Sequence, residues 1–142
     1  MILLPSHLLD DINAQAVRSY PRESCGLLVG REDSAGTVSV SRIVPSENMV
    51  IGDGHDRFEI DPKVRFDLMR ELDGGTETII GHYHSHPDHP PQPSPTDIDM
   101  AFEPEFVWLI TQVSATHAGN TRAWRLNRDE RSSQEIELSD QA

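Results

Sequence analysis

The run Gly81-His82-Tyr83-His84-Ser85-His86-Pro87 places three imidazoles at alternate positions, and Pro93-Ser94-Pro95-Thr96-Asp97 follows shortly after. In an extended strand, residues two apart point to one face with Cα atoms about 6.6 Å apart, so His84 and His86 can aim at a single point. Neutral imidazole nitrogen is a good zinc ligand, and a carboxylate oxygen is a common third. Asp97 follows His86 across residues 87–96, a loop long enough to fold back. Two His and one carboxylate leave a fourth tetrahedral position for water, the layout of a catalytic zinc with one ion per chain. Such a water is deprotonated near pH 7 and attacks a carbonyl.

A nucleophilic water needs a proton acceptor, and the developing oxyanion needs a donor. Glu23 is the candidate base, because it stands at the threshold of the first apolar run, where an acid is otherwise awkward. Ser94 is the hydroxyl nearest in sequence to the three ligands and the candidate oxyanion donor. Plainer readings compete. A lone His-x-His is a weak signal, Glu23 alone reads as a surface acid, and Ser94-Pro95-Thr96-Asp97 is also a good helix start. Each element nonetheless sits where a metallohydrolase would require it. His82 shares the strand face, but a fourth protein ligand would close the site, so it reads as a supporting or packing residue. His89 reads as a solvated loop residue at the entrance, Cys25 as core, Trp108 and Trp124 as strand residues, and Asp99 and Glu103 as solvated acids.

The elements that must position these groups follow from periodicity. Leu8, Leu9, Ile12, Ala16 and Val17 recur at helical spacing over His7 to Ser19, with Ser6 as N-cap and Tyr20-Pro21 as the stop. Cys25 to Arg31 reads as a buried strand, Val38 to Val44 as a second, and Ser46 to Asp56 as a mobile loop. Phe58 and Ile60 suggest a short strand. Asp61-Pro62 opens a helix that Gly74-Gly75 ends. Thr76 to Ser85 is the clearest strand, followed by a proline-rich loop and a short helix from Pro95 to about Phe102. Phe106 to Val113 and Arg122 to Leu126 are two further strands. The pattern predicts one mixed α/β domain over residues 1–126, and a polar, fraying tail over 127–142 in which Ile136 and Leu138 supply an edge strand.

Composition limits the partners. The net charge is −12. An acidic field repels phosphate backbones and anionic lipid, which argues against nucleic acid and membrane surfaces. Lys63 is the single lysine beside eleven arginines, a skew that with the acid excess suits a salt-rich cytoplasm. One cysteine excludes an intramolecular disulfide and a cysteine-based zinc ribbon. No apolar run reaches the ~20 residues of a membrane span, and Met1-Ile2-Leu3-Leu4 is too short for a signal-peptide core. A cytoplasmic protein is the expectation.

His84-Ser85-His86-Pro87, six residues, Ser94, two residues and Asp97, with Glu23 upstream, resemble the JAMM motif of the MPN+ metalloproteases. Tyr20 to Gly30, with Glu23 before a Cys-Gly-Leu run, is similar to that family's first strand. The likeness spans about Ser6 to Leu126, and no motif position departs from the pattern. It implies a central, mostly antiparallel or mixed sheet flanked by helices, layered as in cytidine deaminases. It implies His84, His86 and Asp97 as zinc ligands, Glu23 as acid/base and Ser94 as oxyanion partner. Cytidine deaminase chemistry itself is excluded, because no Cys-x-x-Cys pair exists. For a small, stand-alone prokaryotic member, the implied substrate is a ubiquitin-like sulfur-carrier protein, cut at its C-terminal Gly-Gly tail. Two rival readings are a non-hydrolytic zinc- or partner-binding module of the same fold and a hydrolase of small aminoacyl adducts.

Overall fold

A computed structural model describes residues 1–141. In chain order the elements are β1 (Ile2–Pro5), α1 (Ser6–Ser19), β2 (Cys25–Glu32), β3 (Val38–Ser46), α2 (Pro62–Leu72), β4 (Thr78–Pro87), α3 (Pro95–Asp99), β5 (Val107–Val113), β6 (Ala118–Asn127), β7 (Ser132–Ile136) and β8 (Leu138–Gln141). The strands form one eight-stranded mixed sheet in the order β7-β6-β5-β4-β2-β3-β1-β8. β4 runs parallel to β5, and β1 runs parallel to both β3 and β8, while the remaining pairs are antiparallel.

The central strands owe their place to near-continuous apolar sequence, the signature of strands covered on both faces. Leu27, Leu28 and Val29 of β2 and Val107, Trp108, Leu109 and Ile110 of β5 are all buried. Each fully buried Leu or Ile contributes about 1.5–3 kcal/mol. α1 lays Leu8 and Ile12 on one face of the sheet, against Leu28, Tyr83 and Leu109. α2 covers part of the other face, where Leu68 meets Leu27 and Val29. Asp61 caps α2 by accepting from the Lys63 N–H at 2.9 Å, with Pro62 in the first turn as its sequence predicts. Gly81 lets β4 and β5 approach closely, since a Cβ there would sit 2.0 Å from the Val107 carbonyl oxygen.

Several local expectations change. Ser6 is the first residue of α1 rather than its cap; Pro5 occupies that position, and the Ser6 hydroxyl donates to Asp140 Oδ1 at 2.7 Å. Phe58 and Ile60 form no strand beyond an isolated Asn48–Ile60 bridge. α3 closes at Asp99, short of Phe102. The tail, expected to fray apart from one edge strand holding Ile136 and Leu138, forms two: β7 ends at Ile136 and β8 begins at Leu138, on opposite edges of the sheet. β8 is anchored by a parallel register on β1, a long-range pairing that local sequence cannot announce.

Candidate active site

β4 carries the site. Alternation puts His82, His84 and His86 on the face of the sheet opposite α1, while Tyr83 and Ser85 point the other way. The His84 and His86 Nε2 atoms lie 3.1 Å apart. Asp97, brought over this face by α3, places Oδ1 3.4 Å from His84 Nε2 and Oδ2 3.1 Å from His86 Nε2. All three residues are buried.

Both readings of the Ser94–Asp97 segment hold at once. Ser94 caps α3, accepting the Asp97 N–H at 3.0 Å, and Asp97 Oδ2 accepts the Ser94 N–H at 2.9 Å. The capping box therefore fixes the carboxylate that faces the two imidazoles. The Ser94 hydroxyl uses its oxygen in this bond and keeps its hydrogen for another acceptor.

The two imidazoles are oriented by their other nitrogens and by ring packing. His86 Nδ1 stands 2.9 Å from the Pro90 carbonyl oxygen, which can only accept, so the proton resides on Nδ1 and the Nε2 lone pair faces the cluster. The ring of His84 stacks on Phe58, with centroids 4.4 Å apart and planes at 20°. Trp124 Nε1 donates to the Pro91 carbonyl at 3.0 Å and tethers the proline loop.

β2 and β4 are antiparallel with Cys25 opposite His84, and Glu23 stands two residues before the start of β2. The buried Ser85 hydroxyl accepts the Ser24 N–H at 2.8 Å, and Ser85 N–H donates to the Ser24 carbonyl at 3.1 Å. Glu23 and His86 then line a cleft of about 300 Å³ together with Asp56, His89, Pro90 and Ser94.

Electrostatics separate the two carboxyls. Burial pushes the Glu23 carboxyl up to about 9, helped by the charges of Asp97 and Asp56. Burial also acts to raise Asp97, but the His84 and His86 rings and the Ser94 N–H outweigh it and hold that group well below the ordinary carboxylate range. Burial lowers His84, so its neutral, ligating form is favoured. Glu23 Oε1 and His84 Nδ1 are buried with no hydrogen-bond partner among the described residues. A buried acceptor without a protein partner, on the cleft that His86 lines, fits a group that would hold a metal ion and water.

The structure thus brings His84, His86 and Asp97 together as a group able to hold a metal ion, and sets Glu23 and Ser94 on one cleft beside it. His82 is no part of the group. It packs edge-on to Trp108 with centroids 4.2 Å apart, and burial lowers it to about 3. His89 is exposed on the cleft rim, Asp99 pairs with Arg131, and Glu103 pairs with Arg65. Sequence reasoning assigned no role to Ser85 or Phe58. Ser85 carried a signal in its alternation with the histidines, whereas the approach of Phe58 depends on a tertiary path.

Residues 5–127 match the family model for prokaryotic homologs of the JAB domain. A desampylase of Haloferax volcanii is 34% identical over 103 residues, covering 72% of this chain and 71% of its own. A CysO-cysteine peptidase of Mycobacterium tuberculosis is 25% identical over 126 residues, covering 89% of this chain and 83% of its own. A solution structure of a Desulfitobacterium hafniense protein superposes with a TM-score of 0.82 at 26% identity, covering 99% of this chain and 93% of that one.

Proposed function

Because this chain belongs to the prokaryotic homologues of the JAB domain, and is a hydrolytic enzyme of the JAMM type, we propose that zinc held by His84, His86 and Asp97 serves hydrolysis of a peptide or isopeptide bond. The bond lies at the C-terminal Gly-Gly tail of a ubiquitin-like sulfur-carrier protein, in the cytoplasm. The observation that carries this reading is the cluster of His84, His86 and Asp97 beside a cleft that His86 shares with Glu23 and Ser94. Ligand atoms at 2.0–2.1 Å from a tetrahedral ion stand about 3.3 Å from one another. Here the two imidazole nitrogens stand 3.1 Å apart, and one ligand atom from each of the three residues lies within 4.8 Å of the others.

Zinc bound there supplies Lewis acidity toward the carbonyl and makes water a nucleophile near neutral pH. The chain's own residues do the rest. Burial alone favours the neutral Glu23 carboxyl, and a cation on the three ligands would favour the carboxylate, which takes a proton and returns it to the leaving amine. The Ser94 hydroxyl donates to the oxygen on which charge develops. His86, fixed through Pro90, and Asp97, fixed through the cap of α3, keep their ligand atoms in place without substrate. The tail has a docking edge at hand: β3 pairs with β1 only at Val38 and Ser39, so its stretch toward Ser46 has β2 on one side alone. A slim glycine tail can add a strand there through main-chain hydrogen bonds.

The test measures zinc stoichiometry and cleavage of a carrier with an extended C-terminus, for wild type and Glu23→Gln. About one zinc is retained in both proteins, and turnover falls by on the order of 10² or more in the variant. Zinc loss in the variant would place Glu23 among the ligands. A wild type that ignores the carrier yet hydrolyses dipeptide-like adducts would assign it to small substrates.

A further inference from the structure

Glu23 lies outside the sheet. β2 begins at Cys25, so the backbone of Glu23 has no strand partner, and both of its polar groups are satisfied by the segment after β3. Its N–H donates to the Gly54 carbonyl at 2.7 Å, and its carbonyl accepts from Asn48 Nδ2 at 3.2 Å. The preceding residue fastens that segment in turn. Arg22 Nη1 donates to the Gly52 carbonyl at 2.8 Å, and Nη2 donates to those of Asn48 and Val50 at 2.7 and 3.4 Å. Asn48 completes the knot: Nδ2 also donates to the Arg57 carbonyl, and Oδ1 accepts from the N–H groups of Val50 and Glu59. The stretch expected to be a mobile loop is thus held at its start, middle and end.

Gly54 fits only as glycine. Its φ is +66°, and a Cβ there would lie 2.8 Å from Arg22 Cζ and 3.0 Å from Asn48 Nδ2.

We infer that Arg22 and Asn48 are positioning residues, which clasp the 48–54 segment around the backbone of Glu23 and so hold its carboxyl at the cleft. The inference rests on Glu23 as the acid/base. A planar guanidinium can serve three carbonyls spread over residues 48–52, whereas the ammonium of a lysine is a point charge that cannot span them. With the clasp open, Glu23 keeps its side chain and loses its fixed aim. Orientation of a catalytic group governs turnover more than binding of a short substrate.

The experiment compares wild type, Arg22→Lys and Gly54→Ala, the second variant attacking the clasp from the loop side. It reads zinc content, steady-state kinetics on a carrier and on a short C-terminal peptide, and backbone amide exchange at Glu23. Expected in both variants are a kcat lowered about tenfold or more, a peptide KM within about twofold of wild type, unchanged zinc, and Glu23 amide exchange faster by about tenfold. Unchanged exchange at Glu23 overturns the clasp. Faster exchange with wild-type kcat overturns its role in positioning, as does a kcat loss that merely follows zinc loss. A wild type inert toward carrier and peptide refutes the acid/base reading instead, and amide exchange then still decides whether these residues hold Glu23.

Discussion

Replacing Ser85 with alanine removes one oxygen from the middle of the metal-binding motif without touching a ligand. That oxygen accepts the Ser24 N–H at 2.8 Å, and both residues are buried, at 0% and 3% exposure. Alanine leaves the Ser24 N–H with no acceptor in a place water does not reach. An orphaned buried donor costs about 1–3 kcal/mol. For a chain of this size, at about 4 °C per kcal/mol, Tm falls by roughly 4–12 °C. Urea unfolding reads the same loss as a lower midpoint at constant slope. Ser39→Ala, an exposed serine on β3, is the control and shifts stability by no more than about 0.5 kcal/mol. Because Ser24 adjoins Glu23, turnover of Ser85→Ala falls while zinc content stays near that of wild type. A Ser85→Ala midpoint indistinguishable from the Ser39→Ala control would refute the reasoning.

Asp97→Asn keeps a side-chain acceptor for the Ser94 N–H but removes the anionic ligand, so zinc content falls from about one per chain toward zero; full retention would exclude Asp97 from the ligand set. Glu23 is held neutral in the fold, with its carboxyl raised from 4.5 to about 9, so it supports stability below pH 4.5 and loses that contribution as pH rises through 9. In chelator-treated protein, Glu23→Gln therefore gains Tm over wild type between about pH 5 and 9, and a difference flat in pH argues against a buried, neutral Glu23. Burial pushes the Cys25 thiol up to about 12, so a thiol reagent at neutral pH labels it only on unfolding; rapid labelling of native protein contradicts this.

The site was more legible than the frame around it. Strand alternation alone aligns His84 with His86, and the Ser94–Asp97 cap is written in four consecutive residues, so local rules reach these groups directly. Glu23 was placed by its awkward position before an apolar run, and its backbone bonds to Gly54 and Asn48 just ahead of β2 supply the reason. The clasp of Arg22 on residues 48–52 was not readable, because it joins an arginine to carbonyls, which carry no side-chain signature. The edge strand expected over Ile136 and Leu138 proves to be two strands, because the pairing of Leu138–Gln141 with β1 spans nearly the whole chain. Ser6 misled because a serine before an apolar helix reads as a cap, whereas its hydroxyl is engaged by Asp140 of that same distant strand.

The parallel pairing of β4 with β5 has a further consequence. A chain leaving one strand and entering its parallel neighbour must travel back the full length of the sheet, and residues 88–106 make that return journey. Asp97 rides on the return path, so the carboxylate reaches the histidines as a by-product of connectivity. The half of the path after α3 carries no ligand and is held instead by packing, with Ala101 and Phe106 buried against Trp108 and Trp124. The half before α3 is a measured tether, held by Pro90 and Pro91, and a single added residue there would alter the bite of the whole ligand set.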